Sequence, residues 1–208
     1  MSHVNISLDN KNSAIQTKIN LSGQYSTLTR GYYLYGDKDT TISPTYYADM
    51  FKKAGGSGYK LDSAEKVYPF RHQFSQNTES FKNILSTVEG DFVIDLTSLI
   101  NIHYEIFDSK YSKASFRHDF TGREEYIIEL DFDKLVNIDK MESYNKEIST
   151  SGFYFASSLV KIADNEYGLK VIWEVKKNLT QQADLSTLEE AFRTIKKFTQ
   201  LKLKVKLQ

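Results

Sequence analysis

The chain has 208 residues and carries 27 Lys and Arg residues against 27 Asp and Glu residues. This length is typical of a single domain with a sizeable core, and the balanced charge gives no overall field that would attract nucleic acid or a membrane. The absence of cysteine excludes disulfides, zinc–thiolate sites, iron–sulfur clusters and thiol nucleophiles. We expect one domain over residues 1–208, with a soft boundary at the glycine-rich segment 55–58, and no metal or cofactor.

The start of the chain and its apolar runs favour a soluble cytoplasmic protein without a membrane partner. Residues 1–5 do not form the basic stretch and apolar run of a secretory signal, and nowhere do about 18 apolar residues follow one another. Lysine outnumbers arginine 22 to 5, and Asn, Ile, Phe and Tyr are plentiful. This bias indicates an AT-rich coding genome, bacterial or phage.

Two strands and a helix are predicted in the first quarter of the chain. Loose alternation of apolar residues predicts paired strands at Val4–Leu8 and Ala14–Leu21, joined by a turn-rich connector. Ser43 is a suitable N-cap, Pro44 suits the first helical position, and two glycines follow the last turn. Together these signals predict a helix over Pro44–Ala54.

A second helix is predicted ahead of Gly90. Asn77 or Thr78 can cap it, and its apolar residues recur at the spacing of one helical face, namely Phe81, Ile84, Leu85 and Val88. Beyond Gly90 we predict one or two strands within Asp91–Phe107. A further strand at Glu125–Phe132 has its even-numbered residues facing inward.

The last quarter of the chain begins with a predicted hairpin. Phe153–Ile162 and Leu169–Lys177 are rich in β-branched and aromatic residues and are separated by turn formers, so we expect them to pair antiparallel. With the turn centred just after Glu166, Val160 faces Trp173, and one row of apolar side chains lines the core face.

A helix and a strand are predicted after the hairpin. Ser186 and Glu189 have the spacing of a capping box, and the apolar residues that follow recur every three to four positions, at Leu188, Phe192 and Ile195. Leu201–Leu207 alternates strictly between apolar residues and lysine, which predicts a strand. The elements together predict an α+β fold: a largely antiparallel β-sheet with two or three helices packed on it and a C-terminal hairpin–helix–strand unit.

Glu174 and Lys176 lie one residue apart on a predicted strand, an arrangement that metal-dependent nucleases also use. Such a site needs a second carboxylate beside Glu174, so that two acids hold Mg²⁺ while the lysine steadies the attacking water. In the predicted register the nearest acids, Asp164 and Glu166, lie in the turn, and Asp164 is about 16 Å along the strand. We favour a charged pair on a partly solvated face, and a metal-dependent nuclease or phosphodiesterase is the alternative.

Two Phe-Arg-His-x-Phe segments place His72 beside Arg71 and His118 beside Arg117. A histidine with a neighbouring arginine can serve acid–base cleavage of a phosphodiester or bind a phosphate. The sequence does not show whether the two segments form one shared site, and rim residues bonded to the backbone are the favoured interpretation. His72 and His118 are therefore alternative catalytic residues, and Arg71 and Arg117 are predicted binding residues.

Charged residues cluster on two predicted strands. Glu129, Asp131 and Asp133 share one strand face, and we favour their pairing with the lysines at positions 202, 204 and 206, or plain solvation, over a cation site. Residues 169–208 carry nine Lys and Arg residues against four Asp and Glu residues. A nucleotide- or RNA-binding module that uses this basic C-terminal face is a second alternative, although we do not expect nucleic acid as the partner.

Aromatic residues are crowded into the first 75 residues, where nine Lys and Arg residues stand against six Asp and Glu residues. This small excess is not the dense positive charge typical of nucleic-acid binding, whereas tyrosine-rich surfaces are typical of protein interfaces because each ring buries a large area at low entropic cost. We predict a non-enzymatic protein-interaction module that binds another protein or a second copy of itself as a homo-oligomer. Its predicted binding tyrosines are Tyr32, Tyr33, Tyr35, Tyr46 and Tyr47.

Overall fold

The computed structural model describes residues 1–9, 12–22, 60–64, 72–78, 84–97, 99–100, 102, 104–110, 114–119 and 121–208. Several sequence predictions fall outside these residues. They are the helix Pro44–Ala54, the soft boundary at 55–58, Arg71 and the five binding tyrosines at positions 32, 33, 35, 46 and 47.

Strands dominate the described part of the chain. In chain order they are β1 (Ser2–Ser7), β2 (Asn12–Leu21), β3 (Lys60–Ala64), β4 (His72–Thr78), β5 (Leu85–Val88), β6 (Asp91–Asp95), β7 (Phe116–Arg117), β8 (Gly122–Phe132), β9 (Val136–Ile138), β10 (Lys146–Ser149), β11 (Phe153–Lys161), β12 (Glu166–Val175), β13 (Leu179–Thr180) and β14 (Lys202–Leu207). One α-helix, α1 (Leu185–Thr199), and two short 3₁₀ helices, Met141–Tyr144 and Gln182–Asp184, complete the described elements.

The strands form two main sheets. An eight-stranded sheet has the order β10-β11-β12-β8-β1-β2-β4-β3, and a four-stranded sheet has the order β5-β6-β14-β9. The short strands β7 and β13 pair with each other apart from both sheets. Neighbouring strands are antiparallel, except that β1 and β8 run parallel. The predicted antiparallel character of the sheet is therefore confirmed.

Alternation along the strands gives the eight-stranded sheet one buried face. On β8 the residues Ile128, Leu130 and Phe132 are buried, as predicted, and their neighbours in between are not. The same face of β1 carries Val4 and Ile6, both buried. One side of this sheet therefore forms the floor of the core.

Helix α1 packs on this buried face through a single apolar stripe. Phe198 lies 5.8 Å from Phe155 of β11, and Phe192 lies 5.7 Å from Trp173 of β12, measured between ring centroids. The stripe was predicted from the three-to-four-residue spacing, and its residues are buried. No helix in the described part of the chain is long and apolar enough to cross a membrane.

The four-stranded sheet belongs to the same core. Its buried residues include Ile94, Val136, Leu203 and Val205. The Tyr167 hydroxyl of β12 donates a 2.6 Å hydrogen bond to the carbonyl oxygen of Val136 in β9. A buried polar bond therefore joins the two sheets.

The prediction of two or three helices packed on the sheet is wrong. The segment predicted as a second helix ends in β5, which pairs with β6 as a hairpin. Glu89 and Gly90 form its two-residue turn, with φ angles of 52° and 89°. Positive φ at both positions is typical of the type I′ turn, whose twist matches that of the flanking strands. Gly90 therefore serves a hairpin and does not end a helix, and α1 is the one α-helix among the described residues.

The C-terminal hairpin, helix and strand are present, but the register of the hairpin is not the predicted one. The turn lies earlier, at residues 163–166, so Trp173 pairs with Phe155 and not with Val160. Because this shift is an odd number of residues, it exchanges the two faces of β11, and Val160 and Ile162 are 49% and 58% exposed. Gly168, which resembles a turn residue in the sequence, lies within β12.

Helix α1 begins without the predicted capping box. Its N-cap residue is Asp184, whose side chain caps no backbone N–H, and Ser186 lies inside the helix. The Glu189 carboxylate instead accepts a 2.9 Å hydrogen bond from the backbone N–H of Ser109. Glu189 therefore fixes the segment 104–110 against α1.

For the acidic row, pairing with the C-terminal lysines does not occur, whereas the alternative of plain solvation agrees with the exposure of Asp131 and Asp133. Glu129 and Asp131 lie on β8 and Asp133 directly follows it, whereas the lysines lie on β14 in the other sheet. Glu129 instead contacts the His3 imidazole of β1 at 2.6 Å, and Lys202 pairs with Asp95 of β6 at 3.4 Å.

Candidate binding cleft around His118

A small half-open cleft of about 40 Å³ lies where β7 meets the ends of β8 and β12 and the first half of α1. Its lining residues are Glu105, Phe116, Arg117, His118, Asp119, Glu124, Trp173, Val175 and Phe192. Two of them, Arg117 and His118, were selected from the sequence. Strand β13 holds β7 in place, because Leu179 pairs with Arg117 and Thr180 with Phe116.

The floor of the cleft is aromatic. Phe116 lies 5.7 Å from Phe192 with the rings nearly perpendicular, and it stacks on Phe107 at 5.6 Å. Trp173 lies 5.7 Å from Phe192. Edge-to-face and stacked rings at these separations pack favourably. The cluster ties segment 104–110, β7, β12 and α1 into one unit.

His118 is buried at the edge of this cluster. Its Nε2 shares a 2.9 Å hydrogen bond with the Thr180 hydroxyl, and its backbone N–H donates to the carbonyl of Asn178. Its ring lies 4.9 Å from Phe116 and 6.4 Å from Trp173. Burial lowers the pKa of His118, while the nearby Asp119 carboxylate partly opposes that shift. The imidazole is therefore neutral at neutral pH.

The second nitrogen of the ring, Nδ1, has no hydrogen-bond partner among the described residues. His118 lines the cleft, so its ring borders the space that a ligand would occupy. A neutral imidazole whose Nε2 carries the proton leaves Nδ1 as a hydrogen-bond acceptor.

Three carboxylates and one guanidinium stand around the floor. Glu124 is the β8 residue directly opposite Trp173 of β12, and the Tyr126 hydroxyl donates a 3.0 Å hydrogen bond to its Oε2. Glu105 comes from segment 104–110, and Asp119 follows His118. Among the described lining residues, the three carboxylates outnumber the single guanidinium of Arg117, and His118 is neutral.

The Glu174 and Lys176 pair lies on other surfaces of the molecule. Glu174 points to the face of β12 opposite Trp173, where its carboxylate oxygen lies 3.8 Å from the Arg123 guanidinium. Arg123 also contacts Glu125, which binds Lys170. The Nζ atom of Lys176 stands 5.5 Å above the ring of Tyr154. Glu174 therefore belongs to a network of surface ion pairs, and Lys176 belongs to a contact between a cation and an aromatic ring.

His72 and His118 are not brought together. His72 begins β4, which lies four strand spacings from β12 in the eight-stranded sheet, or about 19 Å. His118 lies against Trp173 of β12. The two Phe-Arg-His-x-Phe segments therefore do not form a shared site between these histidines.

Several basic residues of the C-terminal face are paired with acids. Lys170 binds Glu125, Arg193 binds Glu189, and Lys202 binds Asp95. These contacts reduce the positive charge that the second alternative, a nucleotide- or RNA-binding module, requires.

The cleft residues that sequence reasoning missed are Glu124 and Glu105, together with the role of Trp173 as cleft floor. The sequence contained one signal for Glu124. The residues of β8 that face the core are even-numbered, so extending the predicted strand by one residue toward the N-terminus places Glu124 on the inner face. Glu105 lies in an irregular segment, for which the sequence offers no periodic signal.

No group of three His, Asp or Glu side chains is placed to hold a metal ion within the described ranges. Comparison with known proteins gives no family: no family model, no curated protein and no solved structure matches this chain.

Proposed function

We propose that the chain is a non-catalytic protein-interaction module that binds a protein partner or a second copy of itself. The observation that supports this most is a pair of large exposed apolar side chains, termed the rim, that adjoin cleft residues in the sequence or in a strand pair. Ile106, next to cleft residue Glu105, is 74% exposed, and Leu179, paired with cleft residue Arg117, is 40% exposed. Large apolar side chains left in solvent beside a pocket are typical of surfaces that a protein partner covers.

The size of the cleft supports the same proposal. Small-molecule sites usually enclose several hundred cubic ångströms, roughly 300–1,000 Å³. A volume of about 40 Å³ holds only a few heavy atoms. An aromatic-floored pocket of this size suits a single anchoring side chain, which is how a few central residues supply most of the affinity in protein interfaces.

The placement of Glu174 supports a role without catalysis. A Mg²⁺-dependent nuclease needs two carboxylates that share the ion, and here the guanidinium of Arg123 lies beside both Glu174 and Glu125. A fixed positive charge between two acids competes with a metal for them. The ion pairs that Arg123 makes with Glu125 and Glu174 instead link β8 to β12 on the outer face of the sheet.

We include the five predicted tyrosines as a second part of the contact surface. Affinity capture from the native host, followed by light scattering of the eluate, tests whether the chain binds a partner or itself. The double variant Tyr32→Ala plus Tyr35→Ala should weaken partner binding or self-association about tenfold or more, since interface tyrosines are frequent hot spots. Lys204→Ala, an exposed change on β14, is the control and should bind normally. A wild-type chain that retains no partner and scatters as a 24.0 kDa monomer at micromolar concentration refutes the proposal.

A further inference from the structure

We propose that the His118 cleft binds the protonated amine of a lysine side chain presented by a protein partner. This inference rests on the proposed function, because it names the chemistry of the group that the partner inserts. It follows from four properties of the cleft: its volume, its aromatic floor, its charge and its rim.

Volume restricts the ligand to a small group. One water molecule needs roughly 10–15 Å³ of cavity volume, so a space of about 40 Å³ accepts an ammonium group with its last methylene and little more. A peptide backbone or an aromatic ring does not fit this space. The end of a long unbranched side chain does.

The aromatic floor selects a cation over a neutral group of the same size. Trp173 and Phe116 both line the cleft, and a cation within about 6 Å of a ring centroid is attracted by the electron-rich face, most strongly by tryptophan. Both rings are held by Phe192, whose centroid is 5.7 Å from each. The floor is therefore formed before any ligand arrives.

The charge of the lining residues also favours a cation over a neutral group. Among the described lining residues, Glu105 and Asp119 outnumber Arg117 even when Glu124, which accepts a hydrogen bond from Tyr126, is left out, and neutral His118 adds no positive charge. An ammonium group has three donors, which suit carboxylate oxygens and, in the tautomer whose Nε2 carries the proton, the Nδ1 atom of His118. The Arg117 guanidinium weakens the attraction of the cleft for an ammonium group, and it disfavours a ligand that carries a second positive charge. A single amine therefore fits better than a polyamine.

The exposed apolar side chains of the rim suit the part of the partner that stays outside the cleft. Ile106 and Leu179 are apolar and exposed beside the cleft residues Glu105 and Arg117. The methylenes of a lysine stem and the apolar neighbours of that lysine would cover them, since lysine stems commonly lie along apolar surface.

Fluorescence of Trp173 provides a direct assay, because it is the only tryptophan of the chain. The full-length chain is titrated with Nα-acetyl-lysine methylamide at low salt. We expect a saturable change in Trp173 emission with a Kd of about 1–10 mM, a range suited to a single side chain. The norleucine and Nε-acetyl-lysine counterparts should bind at least about tenfold more weakly, since they lack the charge.

Two matched variants test the carboxylates. Glu105→Gln removes one charge from the cleft and should weaken lysine binding about threefold to tenfold. Glu129→Gln removes the same charge from the face of β8 that lies away from the cleft, where Glu129 contacts His3, and should leave the titration unchanged. Circular dichroism of each variant confirms that the fold is retained.

Each result has a definite consequence. No saturable change, or an equal response to the neutral counterparts, overturns the lysine assignment. Putrescine binding more than about tenfold tighter than the lysine derivative reassigns the cleft to free polyamines and overturns it as well. A wild-type chain that retains no partner but still binds the lysine derivative refutes only the proposed function. A chain that retains a partner but does not bind the lysine derivative overturns only the lysine assignment.

Discussion

Replacing Tyr167 with phenylalanine removes the hydroxyl that joins the two sheets. The ring is 2% exposed, and its hydroxyl donates to the carbonyl of Val136, which is fully buried. The net value of a hydrogen bond is about 0.5–1.5 kcal/mol, and a buried carbonyl left without its partner adds a desolvation cost of about 1–3 kcal/mol. Because the two contributions overlap, we expect Tyr167→Phe to lower the free energy of unfolding by about 2 kcal/mol.

Thermal and urea denaturation measure this loss. For a chain of this size, about 2 kcal/mol corresponds to a fall in Tm of roughly 4–8 °C. Tyr154→Phe is the matched control, because Tyr154 lies half-buried on the opposite face and its ring, which contacts Lys176, is retained. The control should stay within about 0.5 kcal/mol of wild type. Equal stability of wild type and Tyr167→Phe would refute the joining of the sheets at β9 and β12.

Three further predictions concern single sites. Glu89→Asn should stabilise the chain by about 0.5–1 kcal/mol in urea denaturation, because asparagine accepts the positive φ of the type I′ turn more readily than glutamate; a loss of stability would contradict the turn assignment. Ser13→Ala should be stabilising by up to about 1 kcal/mol, since the Ser13 hydroxyl is buried without a partner, and a clear destabilisation would show that it has one. For His118, the native pKa lies below the usual 6.5, so the unfolded chain binds the proton more readily; the contribution of His118 to the free energy of unfolding is constant above about pH 7 and falls as pH decreases through 6.5, and His118→Gln should remove this part of the slope relative to wild type.

The elements with strong periodic signals were predictable from sequence. Strict alternation identified β14, and three-to-four-residue spacing identified α1, whose stripe is buried. The residues of β8 that face the core were predictable because its apolar residues recur at even-numbered positions. In each case the pattern extends over enough residues to separate a period of two from a period of 3.6.

Short apolar runs and turns were not predictable in the same way. Leu85 and Val88 fit a helical face as well as a strand, and the deciding feature was the type I′ turn at Glu89 and Gly90. In the hairpin of β11 and β12, several turn formers stand in a row, and sequence alone gives no reason to place the turn at residues 163–166. Tertiary pairing selected the register that buries Phe155.

The cleft shows the limit of sequence reasoning about sites. His118 and Arg117 stood out because of their residue types, but two of the three acids around them come from β8 and from segment 104–110, which are distant in sequence from Trp173. Only the pairing of β8 with β12 places Glu124 opposite Trp173. Long-range strand pairing of this kind has no local signal.

Hydrogen exchange of the chain alone and in its captured complex tests most directly whether the partner binds at the His118 cleft. We expect exchange to slow in segments 104–110 and 114–119 when the complex forms, because Ile106, His118 and their neighbours become covered. Exchange that is unchanged in both segments, with protection confined to other parts of the chain, would contradict it.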